Sequence, residues 1–179
     1  MKATLMGFLC LSFLAGMAAA PNSPAETDHR ALFAKHWQIS KEFTLAVAEA
    51  MPAEGYDFKP TAEEMSFGQL MVHIAAQNSD SCASATGTKP IDGLSSTAWP
   101  ATTDRQTAIK FLTLSFDKCA KDLDAMPPEQ WNKEVYKVRG QPVLASEALW
   151  YTFTHTAHHR GQAEVYLRVK NIKPPAWRF

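Results

Sequence analysis

The feature that most narrows the fold is a run of apolar residues at alternating steps of three and four: Ile109, Leu112, Phe116, Cys119, Leu123 and Met126. Residues so spaced share one stripe of an α-helix, whereas a strand would scatter them over both faces. This is the seam a helix contributes to a bundle, where neighbouring helices must cover it.

Three further segments supply matching stripes. From about Asp28 to Met51, the residues Phe33, Trp37, Ser40, Phe43, Val47 and Met51 recur at three- and four-residue steps, which makes an amphipathic helix. Pro52, Gly55 and Pro60 then break the pattern. A second helix has a marked start, with Ser66 as N-cap and Gln69 three residues on, as a capping box requires. Met65 and Leu70 take the positions of a hydrophobic staple, and Phe67, Leu70, Met71 and Ile74 form the apolar face. This helix is expected to run to about Ala85 and to stop by Gly87. Residues 88–102 read as a polar loop. The seam helix is expected to open at Thr103, with Gln106 completing a second capping box, and to end at Pro127-Pro128.

Glu134 to Val138 reads as a short extended piece. The fourth helix is expected from about Pro142, a residue tolerated in the first turn, to about Val169. Arg168, Lys170 and Lys173 suit the negative end of its dipole, and Pro174-Pro175 stop it. No strand long enough to build a sheet is visible. The fold class is therefore all-α, a four-helix bundle with long connections after the first and third helices.

Residues 1–20 read as an export signal: Lys2 is the only charge, the apolar stretch runs from Leu5 to Leu14, and small residues fill Ala15 to Ala20. That stretch is shorter than the about 20 apolar residues a membrane span needs. Pro21 is unfavourable directly after a cleavage site, which leaves cleavage open between Ala18 and Ala25. A soluble periplasmic or secreted protein is expected, a chain of roughly 155–160 residues once the signal is removed, with residues 26–179 as a single domain. Lys and Arg number 18 against 18 Asp and Glu, and no basic stripe is interleaved with aromatics. Nucleic acid is therefore not an expected partner, and no second apolar run suggests membrane insertion. Cys82 and Cys119 remain after processing, either as one disulfide in an oxidising compartment or as two buried thiols. They do not have metal-ligand spacing.

Chemistry concentrates in Tyr151-Thr-Phe-Thr-His155-Thr-Ala-His158-His159-Arg160-Gly161-Gln162. His155 and His159 stand four apart, which stacks two imidazoles on one helical face about one turn apart. His155 and His158, three apart, can also chelate, and spacing leaves both pairs open. His73 lies near the middle of the apolar face of the second helix. A buried imidazole there needs a hydrogen-bond or metal partner, and a satisfied core histidine is the plainer alternative. His155 and His159 share a stripe with Ala148, Tyr151, Gln162, Tyr166 and Val169, so the pair is expected to face the interior that His73 enters. His29 is expected in solvent, and His36, beside Trp37, fits a partly buried structural role better than a pocket-lining one.

The pattern His-x-x-His-His-Arg-Gly-Gln over His155–Gln162 resembles the signature of the DinB-like family of four-helix-bundle metalloproteins. A second likeness is Tyr56-Asp-Phe-Lys-Pro60-Thr-Ala-Glu-Glu64-Met-Ser-Phe-Gly-Gln-Leu-Met-Val-His73-Ile-Ala, similar to the family's extended lead-in and the helix bearing its first ligand. The resemblance implies helices running up-down-down-up and a metal held by His73, His155 and His159, with His158 a non-ligand turned to solvent or an interface. It also implies a possible homodimer and links to thiol-dependent transferases and isomerases. The export signal departs from many cytoplasmic relatives.

Three neutral imidazoles leave coordination positions open, as in catalytic rather than closed structural sites. Such a site can acidify a water or hold a thiolate, so a hydrolase or thiol transferase acting on a small molecule is expected. Zinc comes first and nickel second, with iron or copper also suited to three imidazoles. Tyr151 and Gln162 are candidates to orient substrate or an outer-shell water, against the alternative of ordinary packing. The competing function is a non-catalytic bundle that binds metal or serves a structural or stress-related role.

Overall fold

Helix α1 (His29–Ala50) starts at Asp28, whose Oδ1 accepts from the backbone N–H groups of Arg30 and Ala31, both at 3.0 Å. Two of the donors that a helix start leaves over are thereby satisfied. The structure, a computed structural model, describes residues 28–94, 96 and 103–179. The export signal expected over residues 1–20, and its cleavage site, lie outside the described residues. Helices α2 (Phe67–Thr86), α3 (Arg105–Ala125) and α4 (Ala145–Val169) follow. None of the described helices is long and apolar enough to cross a membrane.

The capping box at α2 forms as expected. Gln69 N–H donates to Ser66 Oγ at 3.2 Å, and Ser66 N–H donates to Gln69 Oε1 at 2.9 Å. Gly87 ends the helix at φ +73°, the left-handed conformation that glycine adopts without steric cost. At α3 the expectation fails by one residue. The cap is Asp104, whose Oδ1 accepts from Thr107 N–H at 2.9 Å, while Thr103 is buried. A carboxylate is the stronger acceptor at the positive end of a helix dipole.

The fourth helix also starts later than expected. Pro142 sits in a strand, β2 (Gln141–Leu144), paired antiparallel with β1 (Glu134–Val138). Arg139 (φ 51°) and Gly140 (φ 80°) make the turn between them, the conformation that two-residue hairpins require. A proline is accommodated because a two-stranded ribbon is all edge. The hairpin corrects the expectation that no sheet forms, though it decorates an all-α bundle rather than changing its class. The connection between α2 and α3, residues 87–104, spans 18 residues, between the 16 after α1 and the 19 after α3.

Helix directions follow from which residues meet. Trp37 Nε1 donates to Phe116 O at 3.1 Å, and Arg105 Nη2 donates to Glu49 O at 3.2 Å, so α1 and α3 are antiparallel. Gly68 abuts Thr103 near the starts of α2 and α3, and a Cys82–Cys119 disulfide joins their later turns with Cα atoms 5.5 Å apart. Those two helices are therefore parallel. His73 meets His159 and Asn78 meets Thr152, so α2 and α4 are antiparallel. Phe33 packs on Phe153 and Ser40 on Arg160, so α1 and α4 are parallel. The result is up-down-down-up, with Phe33, Trp37, Phe43, Phe67, Leu112 and Phe116 buried at the centre.

Gly68 fixes the lead-in to the site helix. Its N–H donates to Tyr56 O at 2.8 Å, and a Cβ there would stand 2.3 Å from Thr103 O and 3.2 Å from Tyr56 O. Backbone oxygens on two sides cannot rotate away as a flexible side chain would. Gly68→Ala is expected to destabilise the protein by about 1–3 kcal/mol, seen as a lower urea midpoint. An unchanged midpoint would show that the lead-in yields without cost.

Candidate metal centre

Helix α2 carries His73 toward α4, and α4 returns His155 and His159 from successive turns. Their Nε2 atoms converge. His159 Nε2 lies 3.2 Å from His73 Nε2 and 3.1 Å from His155 Nε2, and ligand atoms of all three fall within 4.8 Å of one another. Tetrahedral ligands at about 2.0–2.1 Å from zinc would stand about 3.3 Å apart, close to this spacing.

Gln162 decides the tautomer of His159. Its Oε1 lies 2.6 Å from His159 Nδ1, and a carbonyl oxygen can only accept, so Nδ1 carries the proton. His159 Nε2 then keeps its lone pair, aimed at the other two rings. One ring lone pair serves one good hydrogen bond, yet two nitrogens face it. A single ion bonded to all three nitrogens resolves that mismatch, and the cluster is thus able to hold a metal. The buried Nδ1 of His155 has no hydrogen-bond partner among the described residues.

The rings favour the neutral form that ligands need. Burial, then the neighbouring imidazoles of His159, His73 and His158, pushes His155 down to about 3. Burial and then His159 lower His73. Burial also lowers His159, partly opposed by the Gln162 hydrogen bond. The consequence for stability has a definite sign. Below an unfolded histidine pKa of about 6.5, the unfolded chain takes up protons that the folded one refuses. The metal-free protein is therefore expected to lose stability as pH falls from about 6.5 toward 4, by up to about 1.4 kcal/mol per pH unit for each such histidine. Urea unfolding of metal-stripped protein across that range checks this, and His155→Gln should flatten the slope. A slope of the opposite sign would contradict the burial of these rings.

The remaining histidines are distributed largely as expected. His29 and His158 are exposed, and the His158 ring touches the His159 ring at a centroid distance of 4.8 Å without joining the cluster. His36 packs on Phe179 at 5.0 Å and lines a separate cavity. The stripe proposed for α4 needs correction. Ala148 and Tyr166 are buried, but Tyr151 is 52% exposed and Val169 54%. Steps of three and four drift around a helix of 3.6 residues per turn, so this line climbs the edge of the interface. The histidines consequently sit half-buried, near the bundle surface. The Tyr151 ring stands 5.9 Å from that of His155 and reaches solvent.

Sequence reasoning missed the polar peg beside the site. Asn78 Oδ1 accepts from Thr152 Oγ1 and Thr156 Oγ1, each at 2.9 Å, and all three residues are fully buried. Thr152 and Thr156 lie one turn apart between the buried Leu149 and Ala163, and that spacing carries the available signal.

The arrangement coincides with a known family. The profile of the DinB superfamily matches residues 36–163, which include all three clustered histidines. This chain belongs to the DinB superfamily. A crystal structure of a DinB-like protein from Bacillus subtilis resembles it over 82% of this chain and 96% of that one, with 18% identity and a TM-score of 0.65. A DinB-like protein from Bacillus cereus does so over 82% and 95%, with 19% identity and a TM-score of 0.68. At these identities the likeness is one of fold. Comparison with curated proteins gives no match.

Proposed function

We propose that this DinB-superfamily chain is an exported enzyme, hydrolytic or thiol-transferring, that acts on a small molecule and depends on a divalent metal held by His73, His155 and His159. The observation that carries this is the convergence of the three Nε2 atoms with the His159 lone pair aimed inward. Among the described residues no fourth histidine, cysteine or carboxylate joins the group, which favours open coordination positions over a closed structural site. The ion, when bound, supplies Lewis acidity at those positions.

The chain's own residues do the rest. Three desolvated imidazoles stay neutral, Gln162 holds the His159 tautomer, and Tyr151 offers its phenol at the solvent edge to orient substrate. Cys82 and Cys119 are tied to each other, so in a thiol transfer the thiol comes with the co-substrate. That disulfide also agrees with an oxidising compartment and with the export signal read in residues 1–20. Three nitrogen donors suit zinc first and nickel second, then iron or copper. A second reading, metal binding without catalysis, is favoured by one observation: no carboxylate among the described residues belongs to the cluster to serve as general base.

Elemental analysis of the purified protein after loading with zinc or nickel tests the first step, with stoichiometric metal expected. A folded protein that takes up none overturns the proposal. Metal-loaded protein inactive on both ester and thiol-transfer substrates would leave the second reading.

A further inference from the structure

We infer that a cavity between α1, α4 and the segment after α4 binds a small aromatic carboxylate, seated on Arg160. The cavity measures about 440 Å³ and none of the three clustered histidines lines it. That volume lies in the range of small-molecule sites, about 300–1,000 Å³. It is a separate site because Trp150, Phe153, Ala157 and Arg160 share one face of α4, while His155 and His159 occupy another.

The walls are aromatic. Phe43, Trp150 and Phe153 line the cavity from the helices. Trp177 and Phe179 also line it and stack on each other, with centroids 5.5 Å apart and planes at 10°. These last two are 71% and 79% exposed, and Trp150 is 37% exposed, so much ring surface remains for a flat ligand to cover. Offset or edge-on ring packing favours an aromatic guest over a polar one.

The charge selects the guest's head group. The Arg160 guanidinium lies 4.4 Å over the Phe43 ring, and its Nη1 donates to Ser40 Oγ at 3.1 Å and Thr44 Oγ1 at 3.4 Å. All three partners are neutral, and no carboxylate among the described residues forms an ion pair with it. Glu164, one turn along, pairs with Arg168 at 3.6 Å. Arg178, the other cation lining the cavity, is matched by Glu42 at 3.2 Å. The Arg160 guanidinium thus lies against rings without an ion pair, with Glu164 acting on it only across space, and keeps further N–H donors in fork geometry. That is the complement of one carboxylate.

Calorimetric titration of the full chain with 2-naphthoate, and with the neutral 2-naphthylmethanol, tests this. The acid is expected to bind about tenfold or more tightly than the alcohol. Arg160→Met should erase that preference while leaving the metal content as in the parent protein, and Trp177→Ala, at an exposed position, should weaken both ligands. The acid-against-alcohol comparison in the unaltered chain stands even if Arg160→Met fails to fold. Equal affinities, or no binding of 2-naphthoate at millimolar concentration, overturn the inference. So does a dimer in sedimentation that Trp177→Ala dissociates, because a second copy would then be the occupant. Neither the acid-against-alcohol comparison nor the Trp177→Ala readout depends on the histidine centre.

Discussion

His159→Ala is expected to abolish stoichiometric metal uptake, the largest effect of any single substitution at the histidine cluster. His159 is the hub: its Nε2 lies 3.1 and 3.2 Å from the other two, and its Nδ1 is the one held by Gln162. Without it, His73 and His155 still face each other at a ring-centroid distance of 4.9 Å, but two imidazoles in place of three are left to hold the ion. Gln162→Leu keeps all three rings and loses only the hydrogen bond that fixes the tautomer, so a smaller loss of about 10–100-fold in zinc affinity is expected. His158→Ala removes an exposed ring outside the cluster and should change nothing. Competition titration against a zinc chelator reads all three. If His158→Ala abolishes binding and His159→Ala does not, the ligand assignment is wrong.

Replacing both Cys82 and Cys119 by alanine is expected to be the most costly change to stability. The crosslink closes a loop with a sequence separation of 37, for which chain entropy gives about 4 kcal/mol of stabilisation. For a domain of this size that corresponds to a melting temperature lower by about 10 °C. Calorimetry of the variant against the oxidised parent measures it, and reduction of the parent should approach the same value. Metal content should survive, because the bond joins α2 to α3 while the three histidines lie between α2 and α4. Equal melting temperatures would show that the crosslink does not restrain the unfolded chain.

Local chemistry made much of the fold legible. Ser66 and Gln69 announce a helix start by themselves, and Gly87 announces its end. Where two candidates competed, pattern was not enough. Asp104 rather than Thr103 caps α3, because an adjacent carboxylate wins the helix N–H groups. Pro142 suits a first helical turn and an edge strand alike, and only pairing with Lys137 across the hairpin decides between them. The same holds at the site. Steps of three and of four both bring a second histidine near His155, and it is the position of α2 that selects His159. Asn78 and Arg160 were out of reach because their partners stand at least 74 residues away in sequence, and no periodicity encodes such pairs.

The peg formed by Asn78, Thr152 and Thr156 has a consequence for ion choice. Helices slide past one another in increments set by their rise, about 1.5 Å per residue. Two buried hydrogen bonds at 2.9 Å do not survive such a step, so α2 and α4 are held in one register or lose it altogether. The triangle of nitrogens inherits that discreteness and has no graded series of widths to offer. For an ion held at the three histidines, the bundle would be a fixed gauge, set beforehand by neutral side chains. Discrimination among ions would then fall to how well each accepts that gauge, rather than to how far the helices bend to meet it.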